Sequence, residues 1–178
     1  MTNHEETIKK FVAYVVAQAK RNLTQSGKNA SKKLYNSISG EAKQFPNSIG
    51  IYFDMEDYGF FQDKGVSGTK KKYSGTEFSY KSKGGKNGLK GMPPPKAFDK
   101  WSIRRGIAPR NTKGQFQTRK GLNFAIARSI FEKGIKPSLF FTKPFEAAFK
   151  KLPDDLVDSY GLDVIDLFDS IMKPNLKK

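Results

Sequence analysis

Apolar residues recur three and four apart at Ile8, Phe11, Val12, Val15 and Ala19, which predicts an amphipathic helix near the start of the chain. Thr2 and Glu5 match a capping box, and Glu5 and Glu6 suit the positive end of the helix dipole. Lys20 and Arg21 suit the other end, and Ser26-Gly27 marks the stop. Asn29, Ala30 and Ser31 open a second short helical stretch through Leu34 and Tyr35. Between Ser37 and Met55 the period changes: Ile49, Ile51 and Phe53 alternate with Gly50 and Tyr52, a strand with one buried face. The segment Ile38 to Phe45 is its hairpin partner, with Pro46-Asn47 as the turn. Asp54, Glu56 and Asp57 follow, then an aromatic cluster, Tyr58-Gly59-Phe60-Phe61, ending at Asp63-Lys64-Gly65. These rings can stack on bases, but packing against the strands is the stronger expectation.

At Val66 the apolar pattern breaks. Residues 66–91 are Gly, Ser and Lys with scattered Tyr73, Phe78 and Tyr80, too little apolar surface for a core element. A long loop or a protruding hairpin is expected there, and loops of that length inside a domain are functional or disordered. Met92-Pro93-Pro94-Pro95 opens a helix through Ala97, Phe98, Trp101 and Ile103, with Trp101 expected in the core. Arg104, Arg105 and Gly106 close it. Another basic loop, 107–120, leads to a helix carrying Leu122, Phe124, Ala125, Ile126, Ile130 and Phe131 between Gly121 and Gly134. Residues 135–141 are apolar and punctuated by proline, and Lys143 to Lys151 form a short helix ended near Pro153. Beyond that the charge reverses: Asp154, Asp155, Asp158, Asp163, Asp166 and Asp169 lie among Leu156, Val157, Leu162, Val164, Ile165, Leu167, Phe168 and Ile171. Ile165, Phe168, Ile171 and Met172 share one helical face, with acids on the other.

Charge narrows the function classes. Across 178 residues, 33 Lys and Arg stand against 17 Asp and Glu, a net charge of +16. Such a surplus points to a polyanionic neighbour: nucleic acid, an anionic membrane or an acidic protein. From Lys64 to Lys120 one sign dominates, which favours a polyanion partner over mere solubility. The absence of cysteine excludes disulfides, thiolate metal sites and a Cys nucleophile. The single histidine, His4, excludes His-based triads and multi-His metal centres. No apolar run is long enough to cross a bilayer, and Met1 to Glu6 carries no signal-peptide pattern. Gly84-Gly85-Lys86-Asn87 lacks the spacing and the hydroxyl residue of a phosphate loop. The carboxylates Asp54, Glu56 and Asp57, and the pair Asp154 and Asp155, fit Mg²⁺ binding or acid–base work in principle, as in a metal-dependent nuclease. Solvated acids at strand ends and helix starts are the stronger reading. The sequons at Asn22 and Asn29 are read as chance matches. The expectation is therefore a protein with no catalytic residues, no metal and no cofactor.

Two signatures and their order carry a resemblance. The first is Tyr58-Gly59-Phe60-Phe61-Gln62-Asp63-Lys64-Gly65, which is similar to a Tyr-x-x-aromatic-acid-x-Gly signature but has Gln62 between the aromatic and the acid. The second is Pro137-Ser138-Leu139-Phe140-Phe141-Thr142-Lys143-Pro144, leading into Phe145-Glu146-Ala147-Ala148. Between them lie Trp101-Ser102-Ile103-Arg104-Arg105-Gly106 and the helix Ala125 to Gly134. With the N-terminal helix, the Ser-Ile element and the strand before them, these resemble the tail-completion or head–tail connector proteins of the tailed-phage neck. The resemblance covers about residues 5 to 150. It implies an α+β fold, a small antiparallel or mixed sheet packed by several helices. To this the chain adds a long basic loop or hairpin and a C-terminal helical extension. Residues 1–153 would be the neck-like domain, with the basic loop 66–91 inserted, and 154–178 an acidic amphipathic tail.

The resemblance also implies a non-enzymatic virion protein: a homo-oligomeric ring, commonly twelve-fold or six-fold and here expected as a dodecamer, joining portal to tail. Its partners would be the portal or adjacent neck and tail proteins, with genomic DNA passing through the lumen and no membrane. It would reside in the virion, and in the host cytoplasm during assembly. Lys70, Lys71, Lys72, Lys81, Lys83, Lys86 and Lys90 are the candidate residues facing DNA or a neighbouring ring. Tyr58, Asp63, Arg104, Arg105, Asp163, Asp166 and Asp169 are the candidate subunit-interface residues. The alternative is a monomeric, sequence-independent nucleic-acid-binding module using the same lysines, although no helix-turn-helix, zinc or RNA-sheet signature accompanies it.

Overall fold

A computed structural model describes residues 3–28, 31–45, 48–111, 113–116 and 118–158. In chain order the elements are α1 (Asn3–Gln25), α2 (Lys33–Ser37), β1 (Ser39–Phe45), β2 (Ser48–Asp54), α3 (Tyr58–Lys64) and β3 (Val66–Ser67). A tight turn (Pro95–Phe98) then leads into α4 (Asp99–Arg104), followed by α5 (Arg119–Lys133), β4 (Gly134–Ile135) and α6 (Thr142–Phe149). Residues 152–158 are helical again and are called α7. The fold is α+β, with two small antiparallel sheets. The described chain forms two units: 3–22, 36–55 and 140–158 in the first, and 23–35 and 56–139 in the second.

The first unit is built on the predicted amphipathic helix. Ile8, Phe11, Val12, Val15 and Ala19 are all buried, as their spacing requires. Helix α1 lies on the β1–β2 hairpin, whose register runs from Ser39 opposite Asp54 to Phe45 opposite Ser48. The expected turn at Pro46-Asn47 lies outside the described residues, as do Thr2, Asn29 and Ala30. Gly40 permits the close approach of helix and hairpin, because a Cβ there would come within 2.7 Å of Val12 Cγ1. Phe11, Val12, Val15 and Leu152 form the core, flanked by Ile51, Phe53, Phe141, Phe145 and Leu156. Phe53 meets Phe11, Phe141 and Phe145 edge-on, at centroid separations of 6.3, 5.3 and 5.9 Å. Such ring pairs add about 0.5–1.5 kcal/mol each beyond the area they bury. Helix α6 ends at Phe149, near Pro153 as the sequence suggested, and Pro153 itself sits in the first turn of α7, where its missing amide costs nothing. Leu152 and Leu156 on that helix join the core, so the tail packs on this unit as far as Leu156.

The second unit relies on polar fastenings. Its α4 and α5 are clasped through Ser102, which is 1% exposed: its hydroxyl donates to the Asp99 carbonyl at 2.9 Å. Asn123 Nδ2 donates to Asp99 Oδ1 at 3.1 Å, and Asn123 Oδ1 accepts from Ser102 at 3.4 Å. Thr118 caps α5 by accepting from the Gly121 amide, and Gly134, at φ 76°, ends it. Gly134 then pairs with Ser67, and Ile135 with Val66.

The segment after Val66 is largely irregular beyond Ser67, as composition suggested, but residues 66–80 are stitched into the unit, which composition did not show. The amides of Thr69 and Lys70 donate to the carbonyls of Phe131 and Glu132, both at 2.9 Å. These belong to the last turn of α5, where helix carbonyls have no partner of their own. Ser67 and Tyr80 close the return through Ser67 N to Phe78 O and Tyr80 N to Ser67 O, each 2.8 Å. Phe78 packs against Phe61 at 4.7 Å and Tyr80 against Phe131 at 6.0 Å. The fastening is backbone to backbone, so side-chain composition does not register it.

Candidate functional site

The basic residues singled out in the sequence fall into three settings. Lys70 is committed internally: its Nζ lies 3.1 Å from Glu132 Oε2, while Arg128 Nε holds Oε1 at 3.0 Å. The hydrogen bond from Arg128, and then that from Lys70, hold the Glu132 carboxyl below the usual carboxylate range. Lys71 and Lys72 follow on the exposed side of the same clamp, with Lys71 Nζ 5.3 Å from the Tyr73 ring centroid. Lys81, Lys83 and Lys90 stand exposed on a closed loop. That loop is tied by Lys83 N to Lys90 O at 2.7 Å, Lys90 N to Gly84 O at 2.9 Å, and Ser82 Oγ to Gly88 O at 2.6 Å. Lys86 begins a short turn on this loop, and its side chain lies outside the described residues. No ion pair among the described residues engages Lys72, Lys81, Lys83 or Lys90.

The candidate interface residues are placed differently from one another. Tyr58 is exposed, as are Phe60 and Phe61, against the expectation that these rings pack on strands. The reason is that the segment is helical: Gly59 and Asp63, four apart, form its buried face and turn the rings outward. Asp63 is only 4% exposed, so it is unsuited to meeting a neighbouring subunit. Its carbonyl accepts from the amides of Ser138 and Leu139 at 3.1 and 3.0 Å, tying α3 to the chain after β4. Lys28, in the same unit, donates to the Lys136 carbonyl at 3.3 Å. Burial lowers the Lys28 pKa, the Asp63 charge opposes that shift and the Lys136 charge adds to it. Asp163, Asp166 and Asp169 lie outside the described residues.

Trp101 is 39% exposed rather than in the core. Ser102 takes the inward position on the six-residue α4, which leaves Trp101 and Ile103 on its flanks. The Arg105 guanidinium lies 5.9 Å from the Trp101 ring and also donates to the Gly27 carbonyl. Arg104 is exposed. Phe116, which the sequence reading passed over, is 71% exposed, with Arg110 only 4.3 Å from its ring centroid. Its signal was an isolated aromatic in a basic loop, a pattern without periodicity. Ile103, Ile107, Phe116 and Arg119 help line an open hollow of about 390 Å³.

No protein-family model matches this chain, and no curated protein or solved structure does. Function must therefore be read from the site itself. Among the described residues no group of three or more His, Asp or Glu gathers as a metal site would require. Of the carboxylates considered for such a role, Glu56 is held by Lys33 at 2.9 Å, and Asp57 precedes α3. No helix of the described chain is long and apolar enough to cross a membrane. What the second unit does present is exposed positive charge of one sign, interleaved with exposed rings. Between residues 64 and 120 only Glu77 and Asp99 oppose it, and Asp99 is engaged by Asn123. Such a surface draws phosphates by charge and backbone contact without reading sequence.

Proposed function

We propose that this chain is a structural subunit of a tailed-phage neck, assembling into a ring that joins head to tail while DNA passes. The observation that carries the proposal is the predominantly positive surface of the second unit, with Lys72, Lys81, Lys83 and Lys90 exposed and outside every described ion pair. The resemblance of the two aromatic signatures and their order supports it. A ring around a sliding duplex benefits from phosphate-directed, sequence-independent attraction. The test is a chain in which Lys72, Lys81, Lys83 and Lys90 are all changed to Glu. These side chains carry no described packing, so the fold is expected to survive by circular dichroism while the yield of infectious particles collapses. Normal tail attachment and infectivity, or particles that lack the chain altogether, overturn the proposal.

A second reading, a monomeric nucleic-acid-binding module, is favoured by the pairing of exposed rings with cations at Trp101 and Phe116, the arrangement that stacks unpaired bases. Light scattering separates the two: that reading requires a monomer whose affinity for single strands falls steeply as salt rises.

A further inference from the structure

The second unit carries an apolar feature that phosphate binding does not use. Ile103 is 55% exposed, and with Ile107 and Phe116 it gives the hollow of about 390 Å³ a greasy wall. Arg119 lies in its lining and Arg110 covers the Phe116 ring, so the rim is positive. A duplex offers phosphates to such a rim but nothing to an isoleucine wall. The ligand chemistry that fits is apolar side chains interleaved with carboxylates.

The chain itself contains that chemistry. Residues 159–172 read Ser-Tyr-Gly-Leu-Asp-Val-Ile-Asp-Leu-Phe-Asp-Ser-Ile-Met, with acids and no base among the apolar residues. The first unit has a groove of about 610 Å³, but Glu6, Asp155 and Asp158 line it and would repel an acidic segment. Of its two cations, Lys10 is already held by Glu6 at 2.8 Å, which leaves Lys151 alone against Asp155 and Asp158. Charge therefore directs the segment to the Arg-rimmed hollow.

We propose that the hollow formed by Ile103, Ile107 and Phe116 receives the acidic, apolar segment 159–172 of a second copy of this chain. The contact is heterologous, a patch on one copy meeting a different patch on the next, the type that closes rings. The inference rests on the reading of the chain as a self-assembling subunit and specifies which surfaces would join.

Because the chain lacks cysteine, disulfide trapping tests this cleanly. Full-length Phe116→Cys is mixed with full-length Phe168→Cys under mild oxidation. A control mixture pairs Phe45→Cys, exposed on the other unit, with Phe168→Cys. The expected result is a covalent dimer from the first mixture well above the control. Adding Arg119→Glu to the Phe116→Cys chain is expected to cut that yield about tenfold, since rim charge governs encounter. Trapping no greater than the control overturns the proposal. So does a chain carrying both cysteines that closes on itself as a monomer, which would place the segment on its own copy. If light scattering shows a ring but trapping fails, the docking is wrong and the assembly reading stands. A monomer in solution removes both.

Discussion

Replacing Gly134 by alanine probes the joint on which the second unit depends. Gly134 ends α5 at φ 76° and opens β4. A Cβ there would come within 2.1 Å of the Val66 carbonyl oxygen and 2.5 Å of the Gly68 amide nitrogen. Both are backbone atoms, so no side chain can swing away. Gly106 is the control, since its φ is 63° and a Cβ there meets nothing within 4 Å. The positive φ alone costs alanine about 1–3 kcal/mol at either site, toward the upper end at Gly134, whose ψ of −168° lies in a region essentially confined to glycine. At Gly134 the β3–β4 pairing must also open, and with it the amide bonds of Thr69 and Lys70 to the end of α5. Two or three hydrogen bonds at about 0.5–1.5 kcal/mol each bring the expected loss at Gly134 to about 3–5 kcal/mol. The single tryptophan, Trp101, lies in the same unit and reports its unfolding in urea by fluorescence. Equal losses for Gly134→Ala and Gly106→Ala, within about 0.5 kcal/mol, would refute the claim that backbone crowding at this joint matters.

Two further outcomes test the other structural arguments. Phe11→Ala removes a buried ring that touches Phe53 and Phe145, and should cost about 3–5 kcal/mol, read as loss of helical circular dichroism at lower urea. A loss below about 1 kcal/mol would mean the first unit does not close over that ring. Lys28 has a folded pKa pushed below its ordinary 10.5 by burial, so the folded chain gives up this proton at lower pH than the unfolded chain. Wild-type stability should therefore rise, relative to Lys28→Met, as pH climbs from neutral toward 10.5. A difference that stays flat over that range shows Lys28 is not strained by its surroundings.

The elements with strong periodicity were legible: the buried stripe on α1, and on β2 the half-buried Ile51 and Phe53 alternating with exposed Tyr52 and Asp54, follow from which side chains must leave water. Short elements were not. Seven residues of α3 and six of α4 are too few for periodicity to choose an inward face. A small residue chose it instead, Gly59 in one and Ser102 in the other, and the rings beside them went outward. The stitching of residues 66–80 was hidden for a different reason. It is made by main-chain amides supplying partners to the end of α5, and any sequence carries those amides. Of the candidate interface residues, Tyr58, Arg104 and Arg105 are exposed, while Asp63 is buried because it lies one helical turn after Gly59.

The two units settle their stability by different means, and this bears on what the basic surface is for. The first closes over an aromatic core and carries acids and bases in alternation, as at Glu6 and Lys10 or Glu41 and Lys43. The second has fewer large buried side chains, holds itself with the Ser102–Asn123–Asp99 clasp and backbone bonds, and yet bears most of the unopposed charge. Self-repulsion in such a unit is a standing cost that neither the clasp nor the backbone bonds lessen. A bound polyanion offsets it, stabilising the folded unit to the degree that it binds the folded chain alone. A protein that meets its anionic partner only in passing would carry that cost uncompensated for most of its life. A subunit fixed beside a polyanion would have it compensated continuously, and this is the ground on which the proposed assembly is preferred to transient binding.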